Sequence, residues 1–440
     1  MIFGKFTFSF CQNTVIINDI GGALAITKAP VTIEIKLNKN QAIAAQEGRL
    51  ALLNVSDGNK LIPLQLESIR KEIFRFVMMM PEGGSGLREF KLAENETPFN
   101  STMSANSDRK TGQVIIEEAG KNVLQYNYHT VYEKDVIRNG NNTNKIIEYS
   151  NKMSGIYFEE YLKCHPEFPK DTIVSSVVYA IPRSDYIHPL YGLKGEILTD
   201  DWPDAGHPHH RGIFWSWPEV NYGTKRGDIY ALQTVFARPT GRLKFISGSV
   251  YAEIDAENLW IWEDEEPIVR ENAIIRVYRS TSNNRVIDLT IKLLALKDSV
   301  TIATRFTNSY GGLNVRMQSS ESQDISYFTD KDNSNPIKAW SDLNGIFEGN
   351  KSTSGLMVLQ HKDNPEYPGD WVQYPNLAWV QPTFPTSGTR YPISTKNPLI
   401  LRYRLIIHAG GQPEPGISEK HWDAFNNPSE RVTYFDKNGN

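Results

Sequence analysis

The residues best suited to chemistry are concentrated in one stretch, 188–221, which reads HPLYGLKGEILTDDWPDAGHPHHRGIFWSWPEVN. Four of the nine histidines lie there, among several aspartates, an arginine and three tryptophans. Moving an unpartnered polar group out of water costs roughly 2–7 kcal/mol, and an unpartnered charge costs more. So many ionisable groups in one stretch therefore predict a functional site.

One hypothesis for this stretch is a metal site. On an extended backbone, His207 and His209 would project to the same side, and His210 to the other. Two imidazoles in this H-x-H arrangement suit a divalent metal such as zinc, and an open coordination position would turn bound water into hydroxide. The candidates for a third ligand are His188, Asp204, His361 and His408.

The same residues also suit acid–base chemistry without a metal. His207, His209 and His210 could take or give protons near neutral pH, and Arg211 could bind a substrate carboxylate or stabilise an enolate. A β-eliminating lyase or an epimerase needs this combination of cation and base. The alternative is a buried network in which the histidines, aspartates and arginine satisfy one another.

Three further features are candidates for substrate binding. The tryptophans near the histidines, Trp215 among them, could stack on the C–H faces of a sugar. Arg316 stands where a strand would carry an apolar residue, and its partner could be a substrate carboxylate or Glu321. His361 and Asn364 lie in a proline-bracketed loop that could hold a ligand or form a plain turn.

Period-two alternation dominates the chain and predicts an all-β protein. Residues 31–37 and 49–55 alternate, and a turn at 56–60 separates the second run from the next. Hydrophobic periodicity is lost in 93–112. We therefore predict a small accessory β-sandwich in 1–100 and a large antiparallel β-sandwich in 113–425, which carries the histidine-rich site. Long helical periodicity is missing.

Composition limits the partners. The formal net charge is −4, and no block of consecutive Lys or Arg could follow a phosphate backbone, so we expect no nucleic acid partner. No run reaches about 18 apolar residues, so we expect no membrane span. Residues 1–12 make a poor secretion signal. The compartment stays open: periplasmic or cell-surface if a leader has been removed, otherwise cytoplasmic.

Five separated motifs, taken together, resemble a known family. They are H-P-L at 188–190, H-P-H-H-R-G at 207–212, G-G-L-N-V-R at 311–316, H-x-x-N-P-x-x-P-x-x-W at 361–371, and L-R-Y-R-L at 401–405 followed by His408. Over residues 175–411 the chain resembles the bacterial family labelled methane oxygenase PmoA, or domain of unknown function 6807. A methane mono-oxygenase subunit of that name is a membrane protein, whereas this chain has no membrane span in its sequence. Residues 133–172 fit no pattern of the family.

The resemblance implies a carbohydrate-processing β-sandwich associated with polysaccharide utilisation. Carried over by position, it implies these site residues: His188, His207, His209, His210, Arg211, Asn221, Arg316, His361 and Asn364. We therefore expect a lyase or hydrolase that acts on an oligosaccharide or polysaccharide fragment bearing a carboxylate or keto group. A non-catalytic glycan-binding protein and a sugar mutarotase or epimerase are the alternatives.

Overall fold

The computed structural model describes residues 10–54, 57, 60–132, 182–201, 209–320, 322–328, 339–427 and 432–435 of the 440-residue chain. The segment 133–172, His207 and Glu321 lie outside these ranges, so the sequence-based hypotheses about them are not tested here.

The first part of the chain forms two small sheets and two short helices. In chain order the elements are β1 (Phe10–Asp19), a 3-10 turn (Ile20–Gly22), α1 (Ala23–Thr27), β2 (Pro30–Lys36), α2 (Lys39–Gln46), β3 (Leu50–Asn54), β4 (Lys60–Pro63), β5 (Gln65–Arg70), β6 (Ile73–Met79) and β7 (Gly86–Glu94). Helix α2 begins at a capping box, because the Asn38 side chain accepts from the Gln41 N–H and the Gln41 side chain accepts from the Asn38 N–H.

The rest of the described chain is almost entirely strand. Its elements are β8 (Met103–Ser107), β9 (Val114–Glu118), β10 (Lys121–Tyr126), β11 (Tyr186–Leu190), β12 (Ile213–Ser216), β13 (Glu219–Tyr222), β14 (Lys225–Gly227), β15 (Val235–Ile246), β16 (Tyr251–Trp262), β17 (Glu266–Tyr278), β18 (Asn284–Ala295), β19 (Val300–Ala303), a 3-10 turn (Arg305–Thr307), β20 (Gly312–Arg316), β21 (Asp324–Phe328), β22 (Trp340–Gly345), β23 (Ser354–Gln360), β24 (Trp371–Tyr374), a 3-10 turn (Pro375–Leu377), β25 (Trp379–Pro382), β26 (Tyr391–Pro392), β27 (Leu399–Ala409), helix α3 (Pro415–Asn426) and β28 (Val432–Phe435).

Strands β8 to β27 form what we call the large unit, in which two eight-stranded antiparallel sheets face each other. Sheet 1 has the order β24-β25-β20-β12-β11-β10-β9-β8, and sheet 2 has the order β15-β16-β17-β18-β27-β23-β22-β21. Alternate residues of each sheet point inward, so Ile213 and Val315 of sheet 1 share one apolar core with Ile275 and Leu289 of sheet 2. The all-β sandwich prediction is confirmed.

Strands β1 to β7, together with β28, form what we call the small unit, which contains two sheets. Their strand orders are β28-β1-β7-β3-β4 and β2-β6-β5, with Val31, Ile33 and Ile35 of β2 buried between them. The C-terminal strand β28 pairs with β1, so the end of the chain returns to the first sheet. The boundaries 1–100 and 113–425 stay a prediction.

Helix α3 differs from the sequence-based expectation that no long helix is present. Its buried residues Ser418, His421, Trp422 and Phe425 follow a spacing of three and four, which places them on one helix face. Trp422 and Phe425 pack on the outer face of sheet 2, in a cluster that also contains Val77 of β6. The helix thus joins the small and large units. Within the described residues, no helix combines the length and the apolar character of a membrane span.

Candidate functional site

Three neighbouring strands of sheet 1 bring the separated motifs together. Strand β11 pairs with β12, and β12 pairs with β20, with Ile213 opposite both Ile187 and Val315. Gly212 sits just before β12 with φ 49°. A Cβ there would lie 2.2 Å from the carbonyl oxygen of Ile187, so the glycine of the H-R-G motif allows the two strands to approach. The arginine at the end of β20 thereby comes to lie beside the histidines that precede β12.

A chain of polar contacts runs from Arg316 to Asn314. The Arg316 Nη1 donates to Nδ1 of His210 at 3.5 Å, and His210 Nε2 lies 3.3 Å from the Tyr230 hydroxyl. That hydroxyl donates to Asn314 Oδ1 at 2.9 Å, which also accepts from the Gln381 amide at 2.7 Å. All five residues are buried. Because arginine can only donate, His210 Nδ1 is an acceptor and Nε2 carries the proton. We call these five residues the His210 cluster.

Arg316 is the chemically unusual member of the cluster. Its side chain is fully buried, and its Nε and Nη2 have no hydrogen-bond partner in the described part of the chain. Burial lowers the pKa of Arg316, while the negative charge of Asp200 opposes that shift. A buried guanidinium normally pairs with an anion or a row of acceptors. This site therefore has unused donor capacity for an anionic or carbonyl oxygen.

Aromatic rings flank the His210 cluster. The His210 ring stacks on Trp379 at a centroid distance of 5.4 Å, and Trp379 stacks on Tyr374 at 4.9 Å. Tyr374 is 40% exposed, so the stack extends from the buried cluster to the surface. On the other side, Tyr310 packs against Tyr230 at 5.0 Å. Burial raises the pKa of Tyr230 well above its usual value, and Tyr310 adds to the rise, so the Tyr230 hydroxyl stays protonated at neutral pH.

Two more buried arginines lie nearby. Arg211 is fully buried and forms an ion pair with Asp201 at 3.3 Å, and Asp201 also accepts from the Tyr186 hydroxyl at 2.8 Å. Arg183 donates to the Tyr230 carbonyl at 3.1 Å, and burial lowers its pKa to about 10. Arg211 thus has a carboxylate partner within the protein, which distinguishes it from Arg316.

His209 lies beside the His210 cluster but on a turn, not on a strand. The H-x-H hypothesis stays a prediction, because its other histidine lies outside the described residues. The rings of His209 and His210 meet edge to face at 4.7 Å, and both contact the Tyr230 ring. His209 is half-buried, whereas His210 is buried. In the described ranges, no three His, Cys, Asp or Glu side chains are grouped to hold a metal, and His207 lies outside those ranges.

The remaining predicted residues, His188, Trp215 and Asn221, lie on strands β11, β12 and β13. The Nδ1 of His188, a residue of β11, lies 3.0 Å from the Thr199 hydroxyl. Trp215 is buried in the core, and its indole N–H donates to Glu271 at 2.5 Å. Asn221 lies on β13, in a separate four-stranded sheet of order β14-β13-β19-β26. Of these three, Trp215 faces the apolar core and not an open surface.

Behind Trp215 lies a buried pair of carboxyl groups. Asp185 accepts from the Tyr126 hydroxyl at 2.7 Å and from the Asn258 amide at 3.0 Å. Glu271 accepts from Trp260 as well as Trp215, and it shares a hydrogen bond with Asp185. Burial, then the Asp185 charge, raises the pKa of Glu271 well above its usual value. The pKa of Asp185 is raised by burial as well, so burial favours a protonated form of the pair.

His361 and Asn364 lie at sheet 2, not at the His210 cluster. The Asn364 amide donates to the Arg402 carbonyl at 2.9 Å, and its Oδ1 accepts from the Arg402 N–H at 2.7 Å. The His361 ring packs edge to face on Phe425 of α3 at 4.8 Å. Burial lowers the pKa of His361 to about 4, despite the nearby Asp363. These residues hold the loop against strand β27. His408, also on this sheet, pairs with Asp342 at 2.7 Å.

The residues that sequence reasoning missed are Tyr230, Asn314, Trp379 and Gln381. One signal was available for Asn314. In L-N-V-R, Asn314 and Arg316 alternate with the apolar Leu313 and Val315, so both belong to the same strand face. Tyr230, Trp379 and Gln381 come from other parts of the chain, and their sequence context gives no comparable signal.

The sequence of residues 174–423 matches the model of a family of unknown function (DUF6807). The chain belongs to this family. The matched region covers more than half of the 440 residues and contains every member of the His210 cluster. It ends at residue 423, within helix α3, so the DUF6807 match includes most of the helix that joins the two units. No curated protein matches the chain.

Proposed function

We propose that this DUF6807 member is a carbohydrate-active enzyme, a lyase or hydrolase, acting on a sugar that bears a carboxylate or keto group. The single observation that supports the proposal is the fully buried Arg316, whose Nε and Nη2 lack a partner in the described residues. Two adjacent N–H donors of a guanidinium match the two oxygens of a carboxylate. Arg316 would therefore bind the substrate carboxylate or carbonyl.

His210 would position Arg316. Both of its ring nitrogens are engaged, one by Arg316 and one by Tyr230. A histidine in this state has no free lone pair to take a proton from a substrate. Its role in the proposal is to hold the guanidinium plane in one orientation.

His209 would be the acid–base group. It is less buried than His210, and its ring touches the cluster. In β-elimination, a base removes the proton next to the carboxylate, a carbon–carbon double bond forms, and the bond to the leaving sugar oxygen breaks. That oxygen must then receive a proton. Arg316 would stabilise the negative charge that develops on the carboxylate during this step.

The aromatic stack would bind the sugar rings. Tyr374, at the exposed end of the stack, would offer its outer ring face to a sugar, while the buried Trp379 packs behind it. Sugar C–H groups pack favourably on such faces. This arrangement supports an oligosaccharide or polysaccharide fragment as the partner. A zinc ion held by His207 and His209 stays a prediction, and elemental analysis of the purified protein tests it directly.

A non-catalytic glycan-binding protein is the second candidate. It is favoured by the same engagement of both His210 nitrogens, because a buried histidine with both nitrogens engaged resembles a structural one. In that case Arg316 would bind the anionic sugar without turnover.

The two candidates separate in one experiment. A panel of oligosaccharides, matched in pairs with and without a carboxylate, is incubated with the wild type, His209→Ala and Arg316→Gln. The enzyme proposal expects product only from carboxylated members, loss of product in both variants, and an unchanged melting temperature for His209→Ala. Binding of the carboxylated members without product from any of them supports the glycan-binding protein. Turnover by His209→Ala would refute its acid–base role, and polarimetry of the same mixtures detects a mutarotase or epimerase.

A further inference from the structure

A cavity lies between the two units, away from the His210 cluster. It has a volume of about 950 Å³. One wall comes from β2, β5 and β6 of the small unit, and the other from the outer face of sheet 2, on β16, β17, β18 and β27. This volume is at the upper end of the range for small-molecule sites. We call it the interdomain groove.

Ion pairs order one row of the groove. Glu253, Arg276, Asp288 and Arg404 lie opposite one another on four adjacent strands. Arg276 donates to Glu253 at 2.5 Å, and Arg404 binds both oxygens of Asp288 at 2.6 and 2.8 Å. Cross-strand pairs of opposite charge stabilise such a face and fix its side chains. This row is electrically balanced.

At the neighbouring positions of the groove, positive charges are not matched by ion pairs. Lys292 and Arg402 line the groove from sheet 2, and Arg70 and Lys71 line it from the small unit. None of these four cations has an ion pair in the described part of the chain. Their charges therefore remain available on both walls of one cavity.

The backbone that carries Arg402 is held rigidly. Asn364 brackets it with two hydrogen bonds, and the His361 N–H donates to the same carbonyl at 3.2 Å. The proline-bracketed loop 361–371, for which the sequence left a ligand-holding loop and a plain turn open, thus fixes one wall of the groove. A fixed backbone lowers the entropy lost when an arginine side chain binds its ligand.

We propose that the interdomain groove is a binding site for an anionic oligosaccharide, with carboxylate or sulfate groups held by Arg402, Lys292, Arg70 and Lys71. The groove also contains four carboxylates, at Glu34, Glu67, Glu253 and Asp288. These repel a densely charged phosphate backbone more than a chain with one charge per sugar. The lining hydroxyls of Ser68 and Thr290 suit sugar hydroxyls, and the net charge of −4 also disfavours nucleic acid.

The test measures binding, so that it does not depend on turnover. All proteins carry Arg316→Gln, which removes the proposed sugar-acid contact at the His210 cluster and leaves only the groove. The groove variant adds Lys292→Gln and Arg402→Gln. The control adds Lys91→Gln and Lys121→Gln, two exposed lysines outside the groove, and changes the net charge equally. The ligands are a galacturonate trimer, a carrageenan hexamer with one sulfate per disaccharide, a neutral galactose trimer and single-stranded DNA, each titrated by calorimetry.

We expect the galacturonate trimer, the carrageenan hexamer or both to bind the Arg316→Gln protein and the lysine control equally, and the groove variant at least tenfold more weakly. The neutral trimer should bind none of them. Equal affinity in the groove variant and the control, or no binding of either anionic ligand to the Arg316→Gln protein, would overturn the proposal. It would also be overturned if DNA bound more tightly than both saccharides with the same dependence on Lys292 and Arg402.

Discussion

Arg316 donates to the Nδ1 of His210 at 3.5 Å, and this long contact is the only hydrogen bond of its guanidinium within the described residues. The arginine is fully buried. A buried charge with so few contacts lowers the stability of the fold, because its desolvation is not offset by acceptors. Such a cost is typical of a residue kept for binding.

Replacing Arg316 by methionine should therefore stabilise the protein while abolishing binding of sugar acids. The apolar side chain of similar length removes the desolvated charge, so we expect the free energy of unfolding to rise by ~1 kcal/mol or more. Urea unfolding measures it. The matched control is Arg211→Met, which strands Asp201 without its ion-pair partner and should cost ~3–5 kcal/mol. A loss of stability in Arg316→Met as large as in the control would contradict our interpretation of Arg316.

Removing the Tyr230 hydroxyl should weaken both the cluster and ligand binding. In Tyr230→Phe the His210 N–H loses its acceptor, while Asn314 keeps the Gln381 donor. We expect a loss of ~1–3 kcal/mol in the free energy of unfolding. Calorimetry should also show weaker binding of carboxylated sugars, because Arg316 is held less firmly. Tyr403→Phe, at a buried tyrosine whose pKa is raised by burial alone, should leave that binding unchanged. Equal affinity in Tyr230→Phe and Tyr403→Phe would exclude a positioning role.

The sequence predicted the sandwich because alternation is a local property. In β17 and β18, buried residues alternate with less buried ones over most of each strand. The two strands pair with each other in antiparallel orientation in the structure. Local patterns cannot show which loops meet. His361 lies at sheet 2 and Arg316 lies on sheet 1. Their local sequence patterns do not show that the fold places them on different sheets. Helix α3 was missed although Ser418, His421, Trp422 and Phe425 follow a helical spacing.

The Asp185–Glu271 pair should make the protein less stable as pH rises. Burial raises the pKa of both carboxyls, and Glu271 holds its proton well above the value of 4.5 that it has in an unfolded chain. The folded protein therefore binds more protons than the unfolded one above that pH, and stability falls as pH rises. The limit for one proton is ~1.4 kcal/mol per pH unit.

Asp185→Asn should flatten this dependence. The amide keeps an oxygen for Tyr126 and can donate to Glu271, so Glu271 ionises in the folded state at a lower cost. Urea unfolding between pH 5 and pH 8 gives the slope for the variant and the wild type. Glu271→Gln serves as the comparison, because it leaves one tryptophan N–H without an acceptor and should destabilise the protein at every pH. Identical slopes for the wild type and Asp185→Asn would show that the pair shares no proton.

His421 should make the protein less stable as pH falls, the opposite of the effect of the Asp185–Glu271 pair. Burial, then the charges of Arg404 and His408, lowers the pKa of His421 to about 3 from an ordinary value of 6.5. The unfolded chain binds a proton below that ordinary value and the folded protein does not, so stability falls as pH falls through this window. His421→Leu should lose less stability between pH 6.5 and pH 4 than the wild type. The exposed His129→Leu should follow the wild type, and a His421→Leu curve parallel to it would disprove the assignment.

Strand β28 forms one edge of the sheet that begins with β1. During synthesis on the ribosome, β28 emerges more than 400 residues after β1, so that sheet edge stays open in the meantime. Unpaired strand edges recruit other chains. Expression of fragments that stop before residue 432 should for this reason yield aggregates through the N-terminal sheet, even when the sandwich that carries the histidines is complete.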